Sequence, residues 1–182
     1  MADHFQTGVR PGDLLVSHPY WSNTQRVCFV TEHTGYSTVA LQINTPAELT
    51  VGQLDFADNS TVSLDEPVYY GGDFNRNSLI LLHDHTWYSS NTMPITSHWS
   101  ITSDQLMLEK LEMGNLPEEY RMVLGITAWE PGEIETLLAD RRSEWLLFKN
   151  PEPGLIMMDP LDTYNEVLTQ LMSRTTNHYF DQ

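Results

Sequence analysis

Positive charge is the scarcest feature of this chain. Lys and Arg number 9 against 25 Asp and Glu, the formal net charge is −16, and Lys110 and Lys149 are the only lysines. Gripping a nucleic-acid backbone requires clustered Lys and Arg, and docking on anionic lipid requires the same. Neither direct nucleic-acid binding nor membrane association is therefore expected. Cysteine is equally rare. Cys28 is alone and cannot close an internal disulfide. Within Val27-Cys28-Phe29-Val30 it reads as a small buried hydrophobe rather than a nucleophile, and the expected setting is a reducing cytoplasm. No apolar run approaches the roughly 20 residues of a membrane span. The opening residues lack the basic and apolar regions of a signal peptide. No CxxC, HExxH, GxSxG, S-x-x-K or phosphate-binding loop is found. No period of repetition and no low-complexity linker divides the chain.

What is present suits one ordinary domain. Apolar residues make up 40% of the 182 and aromatics 10%, enough for a single core. Strands are expected at 13–17, 27–32, 38–44, 68–70, 78–83 and 97–101, with a hairpin connection at Thr34-Gly35-Tyr36-Ser37 and a stop at Thr45-Pro46. Residues 51–64 read as a loop over the sheet, and 84–94 as an exposed polar and aromatic loop. Thr102 to Gln105 has the capping-box spacing of a helix start, closed by Gly114. A strand at 120–126 is followed by a helix opened at Pro131-Gly132-Glu133, with Arg141 and Arg142 near its end. After a strand at 144–148, Asp159-Pro160 caps a last helix whose apolar side is Leu161, Tyr164, Leu168, Leu171 and Met172. Strands followed by alternating helices and strands predict a mixed α/β, or α+β, domain.

Several stretches together resemble the YqgE/AlgH family. They are Pro11-Gly12-Asp13-Leu14-Leu15-Val16-Ser17-His18-Pro19, Glu32-His33 with Leu41-Gln42-Ile43-Asn44-Thr45-Pro46, Pro67-Val68-Tyr69-Tyr70-Gly71-Gly72 with Leu81-Leu82-His83, and Gly125 through Glu135, which includes Trp129 and Pro131-Gly132. The resemblance spans roughly 11–172. This copy departs from the family pattern at Ser37, Ala40, Asp73 and Glu133, which marks a divergent member, and its acidity and few lysines leave both a bacterial and a phage-borne origin open. The resemblance implies a single domain over 11–175, between an extension at 1–10 and a tail at 176–182. It implies a curled, largely antiparallel sheet flanked by helices. It also brings a designation as transcriptional regulator, tied to alginate production, without a settled biochemical activity.

The residues that could carry chemistry are few. His83 and His85 would share one strand face and could ligate zinc with a third ligand; otherwise His83 is a polar anchor at a strand end. Glu32 and His33, as strand neighbours, point to opposite faces and cannot pair with each other, so one is expected to hold the turn at Asn44 and Pro46. Gly71-Gly72 could admit a ligand to the backbone, or simply form a tight strand-to-strand turn. Trp129, with Pro131, Gly132 and Glu135, either locks the second helix on the sheet or lines a pocket. Tyr20, Trp21, Trp87 and Tyr88 lie in polar, turn-rich surroundings and suit exposed interface anchors.

These readings favour a non-catalytic protein-binding or regulatory module. It would act through its acidic surface and exposed aromatics on a protein partner, of which a basic one fits that charge, in the cytoplasm of a bacterial cell or of a phage's host. No catalytic residue and no cofactor is expected. Two alternatives stay open: a metal-assisted hydrolase using His83 and His85, and an acidic mimic of DNA that inhibits a nucleic-acid-binding protein.

Overall fold

The computed structural model describes residues 8–180, with side chains described through residue 175. Its strands, in chain order, are β1 (Leu14–Ser17), β2 (Val27–His33), β3 (Thr38–Gln42), β4 (Pro46–Thr50), β5 (Pro67–Tyr70), β6 (Phe74–Asp84), β7 (Met93–Pro94), β8 (Trp99–Thr102), β9 (Tyr120–Trp129) and β10 (Trp145–Phe148). The helices are α1 (Gln105–Glu112), α2 (Glu133–Ala139), the short α3 (Pro153–Ile156) and α4 (Pro160–Phe180). The ten strands form one sheet in the order β10-β1-β2-β3-β9-β6-β8-β7, and the β4–β5 hairpin attaches to β9 beside β3. Every pairing is antiparallel except β5 with β9. The architecture is the mixed, curled, largely antiparallel sheet with flanking helices that the family resemblance implies.

Strand alternation explains the continuous apolar runs. In β1, Leu14 and Val16 enter one core while Leu15 enters another; in β2, Val27 and Phe29 divide from Cys28 and Val30 in the same way. Both faces are thus covered, and neither strand can be amphipathic. Leu155 and Ile156 of α3 and Tyr164 and Val167 of α4 close the first core. Ile134 of α2 closes the opposite face. A third core, built on Leu81 and Met122, is closed by Met107 and Leu111 of α1 and by Val51, Ala57 and Leu64.

Several elements differ from the sequence reading. β3 stops before Thr45-Pro46 as expected, but Pro46 also opens β4, because a first strand residue on this outlying hairpin tolerates the missing N–H. The 51–64 segment holds two 3-10 turns, at Val51–Gln53 and Asp55–Ala57. The cap of α1 is Asp104, whose carboxylate accepts from the Met107 N–H at 2.6 Å, and not Thr102, which belongs to β8. α2 ends at Ala139, before Arg141 and Arg142. Tyr164, Leu168 and Leu171 face the core as expected, together with Val167, whereas Leu161, 83% exposed, and Met172 do not. α4 continues to Phe180 through most of the segment read as a tail. Residues 1–7 and 181–182, within the expected extension and tail, lie outside the described residues; Val9 is buried against the α2 side. Among the described residues, no helix is long and apolar enough to cross a membrane.

Candidate functional site

Seven of the residues singled out from sequence, His33, Gly71, Gly72, Trp129, Pro131, Gly132 and Glu135, converge on the C-terminal end of β9. β5 lies on one edge of β9 and β6 on the other, so the chain must cross β9 between them. It crosses at Gly71-Gly72. A Cβ on Gly71 would stand 2.3 Å from the Gly125 carbonyl oxygen, and one on Gly72 would stand 2.1 Å from that of Ile126. Gly125 has φ 80° and faces Gly72 across the crossing. Gly71 donates its N–H to Leu124 at 2.7 Å, while its carbonyl accepts from the Gln42 N–H and the Thr127 hydroxyl, both at 2.9 Å. The glycine pair is therefore a backbone-over-backbone crossing. It is not the tight turn expected, because β5 and β6 are not neighbours.

Trp129, which ends β9, is 7% exposed and meets Trp145 edge-on, with ring centroids 5.5 Å apart. Gly132, left-handed at φ 75°, begins α2 beyond Pro131. These features match the packing reading of Trp129. The same two tryptophans also line a groove of about 490 Å³ with Arg26, Gly72, Thr127 and Glu133. The Arg26 guanidinium lies 4.7 Å from the Trp145 ring centre.

His33 reaches this end of β9 as well. Its Nδ1 is 2.7 Å from the Thr38 hydroxyl and its Nε2 is 2.8 Å from Glu135 Oε1. The expected tie to Asn44 and Pro46 is absent; α2 supplies the partner, and a register shift between Val30 and Glu32 precedes it. Glu32 is exposed. Thr38 is buried, so this hydroxyl–imidazole–carboxylate chain offers no accessible nucleophile. Asn44 is instead a strap. Its Oδ1 accepts from Val27 N–H at 3.0 Å and its Nδ2 donates to Gln25 at 2.7 Å.

His83 stands apart, at the far end of β6. It is wholly buried, and its Nδ1 lies 2.7 Å from the Asp84 carbonyl, an acceptor, so this nitrogen carries the proton. Nε2 then accepts from the Thr102 hydroxyl at 2.8 Å. Burial holds the imidazole below its ordinary value, against the opposing pull of Asp84. With both nitrogens engaged, His83 is unsuited to ligation. His85 is exposed, and among the described residues no group of three His, Cys, Asp or Glu is placed to hold a metal. Burial likewise pushes the Cys28 thiol up to about 12, away from thiolate chemistry.

The 84–94 loop corrects a further expectation. Trp87 is 5% exposed, donates its indole N–H to Asn115 at 3.1 Å and packs edge-on against His83 at 5.0 Å. It belongs to the α1-side core and is not an exposed anchor. Tyr88 is 73% exposed, and the Lys110 ammonium sits 4.8 Å from its ring centre. Tyr20 and Trp21 are exposed at the opposite, β10 end, with Arg142 over the Trp21 ring at 5.4 Å.

Charge is also sorted in space, which sequence order concealed. Glu48, Asp55, Asp58, Asp65, Glu109, Glu118 and Glu119 are exposed on the segments gathered around the α1-side core. Lys110, on α1, is tied to the Tyr88 carbonyl at 2.6 Å, and Arg121, in β9, is buried. Leu106, Met113 and Tyr88 are exposed on the same lobe.

Comparison with known proteins agrees with this geometry. Residues 14–176 match the AlgH-like family. A UPF0301 protein of Vibrio parahaemolyticus is 29% identical over 169 residues, covering 88% of this chain and 86% of its own length. One from Vibrio atlanticus is 27% identical over 180 residues, covering 94% and 91%. The solution structure of the AlgH protein from Pseudomonas aeruginosa superposes with a TM-score of 0.67 at 22% identity, over 82% of each chain. The X-ray structure of a Corynebacterium diphtheriae protein gives 0.70 at 17% identity, over 91% of this chain and 88% of that one. At these identities the structural likeness concerns the fold.

Proposed function

The chain belongs to the AlgH-like family, and on that premise we infer that it works as a non-catalytic protein-binding or regulatory module whose contact surface is the acidic lobe around α1. One observation carries this reading. Seven exposed carboxylates share the lobe with exposed Tyr88, Leu106 and Met113. Such a surface attracts a basic partner at long range and offers apolar side chains for burial on arrival. The residues gathered at the end of β9 serve the fold: a glycine crossing, a tryptophan pair and a histidine clamp. The partner is a protein with a basic segment, and the module makes no direct contact with DNA.

Binding to a partner retrieved from the source cell tests this. The native protein should hold it at low salt and release it as salt rises. A variant with Glu118→Gln, Glu119→Gln and Tyr88→Ala should lose it while folding normally. Retention of the partner by that variant would refute the assignment of the lobe.

A further inference from the structure

A second cleft, of about 480 Å³, opens where the β4–β5 hairpin, the start of β9 and the N-terminal end of α4 meet. Its notable member is Arg121, a cation within the otherwise apolar run of β9 and only 5% exposed. A buried charge costs stability unless it is paired and hydrogen-bonded. Among the described residues no carboxylate forms an ion pair with Arg121. Its guanidinium donates to the carbonyls of Ile43, at 2.7 Å, and Met158, and to the Tyr69 hydroxyl oxygen, and lies 4.6 Å from the Tyr69 ring centre. A guanidinium has five N–H groups, more than these three acceptors take up, and its planar fork matches a carboxylate.

The cleft does not suit a simple anion, because exposed Glu66 and Asp159 line it too. One oxygen of Asp159 caps α4 by accepting from the Leu161 N–H at 3.0 Å. The remaining walls are apolar or aromatic, with Met157, Tyr69 and Tyr120 among them. Burial raises the Tyr69 hydroxyl pKa, and burial with the Glu66 and Asp65 charges pushes that of Tyr120 up to about 12. Both phenols are therefore neutral hydrogen-bond donors at physiological pH. An apolar-walled cleft with a few convergent polar groups is the usual form of a small-molecule site.

We propose that this cleft binds a small zwitterion, an α-amino acid with an apolar or aromatic side chain, its carboxylate on Arg121 and its ammonium between Glu66 and Asp159. Both charges of such a ligand meet their opposites, and its side chain covers Met157 and the tyrosines. A ligand with a carboxylate alone would meet the like charges of Glu66 and Asp159, and one with an ammonium alone the like charge of Arg121.

The test is amide NMR titration of the full chain with L-phenylalanine, 3-phenylpropionate and phenethylamine. Phenylalanine should shift the amides of Tyr69, Tyr120 and Met157 to Leu161, and bind about tenfold more tightly than either analogue. Glu66→Gln, at an exposed position, should weaken phenylalanine about tenfold without weakening phenylpropionate. Arg121→Lys should abolish the advantage of phenylalanine over phenethylamine. If Arg121→Lys does not fold, the Glu66 arm decides alone. Absence of shifts at millimolar phenylalanine, or equal binding of phenylalanine and phenylpropionate, would overturn the proposal.

Discussion

The Nε2 atom of His33 sits 2.8 Å from a carboxylate oxygen of Glu135, joining the end of β2 to the first turn of α2. The ring is also bonded, through Nδ1, to the buried Thr38 hydroxyl. These two contacts differ in burial, and so in consequence. Glu135→Ala removes a partly exposed pair and should cost no more than about 1 kcal/mol. His33→Ala also orphans a buried hydroxyl and should cost about 1–3 kcal/mol. Urea denaturation of both variants checks the order. A larger loss for Glu135→Ala would show that α2 docking depends on the carboxylate.

The crossing at Gly71-Gly72 leaves no room for a methyl group. Gly72→Ala should cost about 4 kcal/mol or more, or prevent folding, since the added atom meets backbone. Gly154 in α3 has nothing within 4 Å of such a methyl, and Gly154→Ala should change stability by no more than about 1 kcal/mol. Denaturation midpoints of the two variants make the comparison.

Trp129 and Trp145 form an edge-on pair between the sheet and α2. Trp129→Ala should lower stability by about 3–5 kcal/mol, as for other buried large aromatics. An unchanged denaturation midpoint would return Trp129 to the list of recognition residues.

Acid should destabilise the fold. Burial holds His83 below its ordinary value of about 6.5, so the unfolded chain takes up this proton first as the pH falls. Burial opposes ionisation of Asp84 and Asp104, but hydrogen bonds to each outweigh it and hold both carboxyls below the usual range. The stability they supply is present above that range and is lost as the pH falls through their folded values. All three act in the same direction. The denaturation midpoint should fall as the pH drops below about 6.5, where His83 acts, and fall further below about pH 4, where Asp84 and Asp104 act, and His83→Gln should flatten the upper part of that fall. A midpoint independent of pH would contradict the described environments.

The fold was legible where local pattern decides it. The β2–β3 hairpin, the β9 strand and the Pro131-Gly132 entry to α2 follow from turn residues and apolar runs within a few positions of each other. Whatever depends on distant partners was not. Trp87 stands among polar residues, and its burial comes from partners distant in sequence: Met107 and Leu111 of α1 in the same core, and the Asn115 carbonyl 28 residues on. Gly71-Gly72 reads as a turn until β9 is known to lie between β5 and β6. The His33–Glu135 clamp joins two residues that were each noticed but not linked. Arg121 did leave a signal, a single arginine in an apolar strand, and a question about the partner of that charge would have found its cleft.

The acidic lobe is the central claim, and association kinetics with a purified partner test it most directly. Exposed charge steers encounter and is screened over about 8 Å at physiological ionic strength, whereas buried aromatic contact governs escape. The account predicts that Glu118→Gln with Glu119→Gln slows association and flattens its salt dependence while dissociation hardly changes, and that Tyr88→Ala speeds dissociation alone. Association rates and salt slopes identical to those of the native protein in the first variant, with unchanged dissociation in the second, would contradict it.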